Sequence, residues 1–347
     1  MKYLIKKFWL LATLLIIISV PIIIICAYRT DKYLILKGAT MPFTSCVQIE
    51  NSYDESGSFS TVYVTNMNKS TIFQNLVTKN DPQIESGTLS YDEVVISDFD
   101  HYTASKIQYD SSIETALILA YNEAAKTEEN INLDYKFASY DITYMTSTSS
   151  FQVGDKIIGV NDVNNDNEEL LLDAIHNMKI GDIYKIMRKN VLTEIEIKKG
   201  EGISFYPRFT INMDNTTPKF NIVGNLIGGP SGGLMQALSI YNRITKEDLT
   251  HGLKICGTGT ISTKGEVGMI GGIREKIPTA INDEIDLFFC VSGNYNDALE
   301  SYNSSINRTR MKLIKVDTFY DCVNYLKEGY KNDFKNLSWN KKWVWYL

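Results

Sequence analysis

The sequence predicts an α+β protein: an N-terminal transmembrane helix, a β-rich module in the middle of the chain, and a C-terminal domain of mixed strands and helices. Three observations predict it. An uncharged run from Phe8 to Ala27 follows Lys2, Lys6 and Lys7, and its length at helical rise is about 30 Å, the thickness of a bilayer core. Between residues 131 and 199 strand-like runs predominate, and from Phe205 onward strands and helices alternate.

The apolar run reads as a retained anchor. A cleaved signal peptide usually has a shorter apolar region that ends in a small-x-small site, which Ile24-Ile25-Cys26-Ala27 does not offer. A lipoprotein signal at Cys26 is disfavoured by the bulky Ile25 before it. Arg29, Lys32 and Lys37 lie beyond the span, so the positive-inside comparison is ambiguous. The short lysine-bearing segment still places the N-terminus in the cytoplasm and everything from about Thr30 outside a single-pass cell membrane.

After the anchor, Tyr33 to Leu36 is strand-like, and Phe59 to Thr65 alternates with period two and is rich in β-branched residues, the pattern of a half-buried strand. From Ser111 to Glu129, Ile113, Ala116, Leu117, Ala120 and Ala124 recur at helical spacing. In the middle region, strand-like Phe151 to Asp162 precedes a helical run, Glu168 to Met178, and two strand-like runs, Ile183 to Met187 and Leu192 to Ile197. In the last part, Phe209–Met213, Leu253–Ser262, Asp286–Val291 and Met311–Val316 read as strands. Leu234–Ile244, Ile273–Asn282, Asn296–Tyr302 and Thr318–Tyr330 read as helices. The expected divisions are 8–27, 28–130, 131–200, 205–334 and a tail, 335–347, whose Trp339, Trp343 and Trp345 are expected to pack on the domain.

Composition excludes some functions. Lys and Arg number 35 against 41 Asp and Glu, a net charge of −6, and there is no basic block beyond the N-terminus, which argues against nucleic acid as a partner. Five cysteines form no CxxC and no zinc pattern; Cys256 and Cys290 lie in apolar strand-like runs and read as buried thiols. No Gly-x-x-x-x-Gly-Lys-Ser/Thr loop is present, so no ATPase motor is read from these residues and no cofactor is expected.

The chemistry concentrates in two glycine-rich segments. Gly228-Gly229-Pro230-Ser231-Gly232-Gly233 offers a serine in a turn that leaves room for a peptide, stiffened by Pro230 and followed by a helix whose N-terminus favours an oxyanion. Gly271-Gly272-Ile273-Arg274-Glu275-Lys276 places a lysine in the first turn of a second helix, where the dipole and an apolar wall are both expected to lower its pKa. A serine hydroxyl needs a base, and a neutral lysine can be one. Gly229-x-Ser231-x-Gly233 also satisfies a nucleophile-elbow pattern, but only His251 follows, too close for that fold, and His101, His176 and His251 read as structural or surface residues.

Two resemblances sharpen this reading. Phe151-Gln152-Val153-Gly154-Asp155-Lys156-Ile157-Ile158-Gly159-Val160-Asn161-Asp162 resembles the central strand and turn of a PDZ domain, although the loop that would hold a peptide carboxylate is not legible between Lys136 and Ser150. Gly229-Pro230-Ser231-Gly232-Gly233, Gly257-Thr258-Gly259-Thr260-Ile261-Ser262 and Gly271 to Lys276 resemble, in order and spacing, the proteolytic domain of Lon-type peptidases. The whole chain is similar to the bacterial membrane-anchored, PDZ-containing Lon-like serine peptidases. The resemblance implies Ser231 as nucleophile, Lys276 as its base, Thr258 as support of the dyad, and Gly229, Pro230 and Gly232 as its oxyanion or substrate-strand neighbours. Gly229 stands where soluble Lon enzymes often carry an acid, and Gly232 where alanine is usual. The implied activity is an ATP-independent endopeptidase acting on peptide or protein substrates, and Lon-like domains often form rings, which leaves room for a homo-oligomer. The competing reading is a catalytically silent, membrane-tethered PDZ-type scaffold.

Overall fold

The computed structural model describes residues 2–330 except 82–83, 92, 94–95, 224–228 and 306–310; the expected tail, 335–347, lies outside them. Helix α1 (Lys2–Ala27) leads into strands β1 (Lys32–Pro42), β2 (Val47–Ile49) and β3 (Ser58–Met67), the short helix α2 (Ile72–Thr78) and strand β4 (Glu85–Thr88). Helix α3 (Asp98–Ala124) follows. Then come β5 (Tyr135–Met145), β6 (Lys156–Val160), β7 (Val163–Asn164), α4 (Glu168–His176), β8 (Ile183–Arg188), β9 (Val191–Glu196), β10 (Ile203–Ile211) and β11 (Phe220–Ile222). The last part comprises α5 (Gly233–Ile244), β12 (Lys254–Thr258), β13 (Thr260–Ile261), β14 (Val267–Gly268), α6 (Ile273–Asn282), β15 (Leu287–Val291), α7 (Tyr295–Ser304), β16 (Lys312–Val316) and α8 (Phe319–Asn324).

Helix α1 is long and apolar enough to cross a membrane, and most of its side chains are exposed, Leu10, Leu15 and Ile17 among them, although it touches α2. A retained anchor and a signal sequence both have this property.

Two sheets organise the rest. The first has the order β16-β15-β12-β3-β1-β4; β16, β15, β12 and β3 run parallel, while β1 is antiparallel to both β3 and β4. Strict alternation gives it two buried faces. Leu287, Phe289, Ile255 and Phe59 point to a core shared with Leu234 and Leu238 of α5, whereas Phe288, Cys290, Cys256 and Val62 point to a second core under Ile273 and Ile277 of α6. The second sheet is antiparallel, β10-β5-β6-β8-β9, with β7 paired to β6.

The structure joins segments that the sequence reading kept apart. β1 and β3, from the segment expected to be only membrane-proximal, are interior to the first sheet, and β10, expected to open the C-terminal domain, pairs with β5 along its whole length. Helix α3 explains the continuity. Residues 115–121 are all buried, so it is apolar on every side rather than on one face, and it packs on α5, β5 and β10 at once. Arg208 of β10 reinforces this junction, 2.7 Å from Glu114 of α3 and 3.7 Å from Asp141 of β5.

Candidate active site

The site lies at the carboxyl end of β12, where parallel strands stop and a crevice opens between the two helical layers. Ser231 arrives from the α5 layer, two residues before the helix begins at Gly233. Lys276 arrives from α6 on the opposite layer. Its amine Nζ stands 2.9 Å from Ser231 Oγ and 3.0 Å from Thr258 Oγ1. Thr258, the last residue of β12, donates its hydroxyl proton to the Ser231 carbonyl at 3.0 Å, and the Gly259 amide donates to the same oxygen at 2.9 Å. These two bonds clamp the serine to the strand end. With its proton so committed, Thr258 Oγ1 offers the lysine a lone pair, which takes one N–H and turns the nitrogen lone pair of a neutral amine toward Ser231.

Lys276 is 1 % exposed, and burial lowers its pKa to about 8. The nearest ionisable groups, Cys256 and Cys290, do not oppose this near neutrality, because burial pushes each thiol up to about 12 and keeps it uncharged. Of the two causes expected from the sequence, burial is the one evident here, since Lys276 sits in a cleft of thiols, hydroxyls and aliphatic groups. All five cysteines are free.

The expected oxyanion donors also need correcting. The first amides of α5 are already used: Gly233 N–H donates to Pro230 O and Leu234 N–H to Gly259 O. The Ser231 and Gly232 amides, just ahead of the helix, make no backbone hydrogen bond among the described residues. Gly228 lies outside the described residues.

The two atypical glycines acquire separate reasons. Gly229 has φ +102° with nothing within 4 Å of a Cβ, so it is required by backbone conformation, and an acid there would be strained. At Gly232 a Cβ would stand 3.2 Å from Phe43 Cζ and 3.3 Å from Thr61 Oγ1, so here the ring of Phe43 takes the space of an alanine methyl. The sequence pattern singles out neither Phe43 nor Thr61, because both reach the site from far along the chain, Phe43 from the 3-10 turn after β1 and Thr61 from β3. Among the histidines, His251 bonds Leu326 O and stacks on Tyr330, and His176 packs on Phe205, both structural roles.

Ser231 and Gly232 open on a cavity of about 600 Å³ lined by Met41, Phe43, Tyr109, Gln236 and every residue from Thr61 to Asn66. Alternating side chains alone would contribute every second residue, so six in a row mean that the backbone edge of β3 itself faces the cavity. β12 pairs with β3 only as far as Gly257 opposite Thr61, and beyond that no described strand covers this edge.

Comparison with known proteins agrees with this geometry. Residues 224–327 match the Lon protease (S16) C-terminal proteolytic domain. By this match the stretch is similar to a Lon-type proteolytic domain. The chain is 26% identical to the Lon protease of Campylobacter jejuni over 162 residues, 42% of this chain and 19% of that protein. To the Lon protease of Aster yellows witches'-broom phytoplasma it is 30% identical over 96 residues, 28% of this chain and 12% of that one. The aligned part thus spans less than a fifth of these curated relatives. The matched stretch contains Ser231, Thr258 and Lys276.

Proposed function

We propose that this chain is a membrane-anchored serine endopeptidase that acts without ATP, cleaving extracytoplasmic peptides or flexible protein segments with a Ser231–Lys276 dyad through an acyl-enzyme. The observation that carries the reading is a buried amine with a pKa of about 8, 2.9 Å from a serine hydroxyl, inside the stretch that matches the Lon-type domain. Ser231 Oγ attacks the scissile carbonyl carbon while Lys276 Nζ takes its proton. The C–N bond then breaks, Lys276 returns the proton to the leaving amine, and water, deprotonated by the same lysine, releases the acyl group. Thr258 orients the base, and the Ser231 and Gly232 amides hold the oxyanion.

The uncovered edge of β3 supports an extended substrate, which would continue the sheet in the lane β12 vacates, with backbone hydrogen bonds supplying affinity. The antiparallel sheet of β5, β6, β8, β9 and β10 with helix α4 supports the PDZ-like reading of the middle region. Absence of a phosphate loop from these residues supports ATP independence, and α1 supports an anchor with the site outside the cell.

The test is cleavage of casein, an unstructured protein, by the full chain in detergent, beside Ser231→Ala and Lys276→Ala. Loss of at least about 10³-fold in both variants is expected. Equal cleavage by all three sinks the dyad, and no cleavage by any favours the tethered scaffold. A soluble version has to retain Lys32, because β1 begins there and lies inside the sheet.

A further inference from the structure

Thr61 occupies the last position of β3 that pairs with β12, on the face that Phe59 shares with α5. It is 5% exposed, and its Oγ1 is buried with no hydrogen-bond partner among the described residues. A buried hydroxyl left unmet destabilises a fold, whereas valine would fill the same volume without that loss. Gln236 lines the same cavity, but its side-chain oxygen accepts from Ser112 Oγ at 2.9 Å and it makes no bond to Thr61. The Thr61 hydroxyl instead lies against Gly232, 3.3 Å from where a Cβ would stand, and lines the same cavity as Ser231. An unmet donor therefore sits where the vacated strand lane meets the nucleophile turn.

We propose that Thr61 is a further catalytic residue, whose hydroxyl donates a hydrogen bond to the scissile carbonyl oxygen beside the Ser231 and Gly232 amides. This rests on the peptidase reading above. As Ser231 Oγ bonds to the carbonyl carbon, the C=O electron pair moves onto oxygen and the serine proton passes to Lys276. Thr61 gives up no proton; its bond strengthens as charge develops and relaxes when the C–N bond breaks. The donor is preorganised because β3 is held by β1 on one side and β12 on the other, so little rearrangement accompanies the charge.

The test uses the full chain in detergent with a quenched fluorescent peptide from casein, comparing wild type, Thr61→Val, Thr61→Ser and Ser231→Ala. For Thr61→Val, kcat falls by about 10²-fold with KM nearly unchanged, while the melting temperature stays level or rises because an unmet hydroxyl has been removed. Thr61→Ser keeps the donor and stays within about threefold of wild type. A peptidyl boronate, whose tetrahedral adduct on Ser231 places an oxygen in the oxyanion position, binds Thr61→Val more weakly by a comparable factor. Wild-type kcat and boronate affinity in Thr61→Val, with Ser231→Ala inactive, overturn the role of Thr61 and leave the peptidase standing. A kcat loss accompanied by a lowered melting temperature and shared by Thr61→Ser overturns it too, as a packing effect. Wild type no faster than Ser231→Ala overturns the peptidase reading and this inference together.

Discussion

Buried Lys276 and half-buried Arg208 have opposite fates. Lys276 is enclosed by hydroxyls, thiols and aliphatic groups, and burial brings its pKa down to about 8. Arg208, at the junction of the two sheets, is also drawn down by burial, but the hydrogen bonds and charges of Glu114, Asp141 and Asp110 outweigh that and hold its pKa raised. The difference is in the partners. A cation surrounded by carboxylates is a structural tie, whereas one given only neutral hydrogen-bond partners becomes a proton acceptor.

The largest expected effect breaks the Lys276 side of this contrast. Lys276→Met loses at least about 10³-fold in casein cleavage yet unfolds at a higher temperature at pH 7, with a gain of order 3 kcal/mol from removing an amine whose pKa is displaced by about 2.5 units. A lower melting temperature would mean that the amine stabilises the fold and contradict its role as a poised base.

The pH dependence sharpens the same point. Only the neutral amine accepts the serine proton, so kcat/KM rises as pH climbs through about 8 and then levels. The linkage has a matching sign. The folded pKa lies below the ordinary value of 10.5, so between these pH values the unfolded chain binds more protons; stability gained as pH rises from 8 to 10.5 is absent below 8. A rate profile flat from pH 6 to 9 would remove Lys276 as the base.

Smaller effects are expected at the supports. Thr258→Val leaves the lysine without its orienting acceptor and frees one bond to the Ser231 carbonyl, lowering kcat about 10- to 100-fold and shifting the apparent pKa of the rate profile. Unchanged kinetics would confine Thr258 to packing. On the structural side, Arg208→Met leaves Glu114 and Asp141 without their cation and destabilises by about 2 kcal/mol, measured by urea unfolding, with the pH profile of cleavage unaltered. Least of all, Gly232→Ala presses on Phe43 and Thr61 by a few tenths of an ångström, and a loss of roughly threefold in kcat with no change in the pH profile is expected.

Much of the site was legible because its signals are local. The turn before Ser231 and the first turn of α6 carry glycines and spacing that announce their backbone geometry, and α6 begins and ends where its periodicity places it, whereas the strand expected over Leu253–Ser262 stops at Thr258. The apolar span of α1 is equally a property of consecutive residues. Local pattern cannot say what covers an apolar helix: α3 was read by one face, and its burial on every side depends on two sheets folded against it.

From the sequence alone came the glycine turns and the order of strands and helices, which follow from residue type and short-range periodicity, and the candidate serine and lysine, which the resemblance to Lon-type peptidases implies. Tertiary structure decided the rest. Only the packing of α5 and α6 on opposite faces of one sheet brings Ser231 and Lys276 together at the end of β12, and only burial in that crevice lowers the pKa of the amine. Pairing of β3 with β12 and β1, across almost 200 residues of chain to the first of these partners, places Thr61 at the nucleophile. A pKa and an unmet hydroxyl belong to an enclosure, and an enclosure is built by contacts that the linear pattern does not contain.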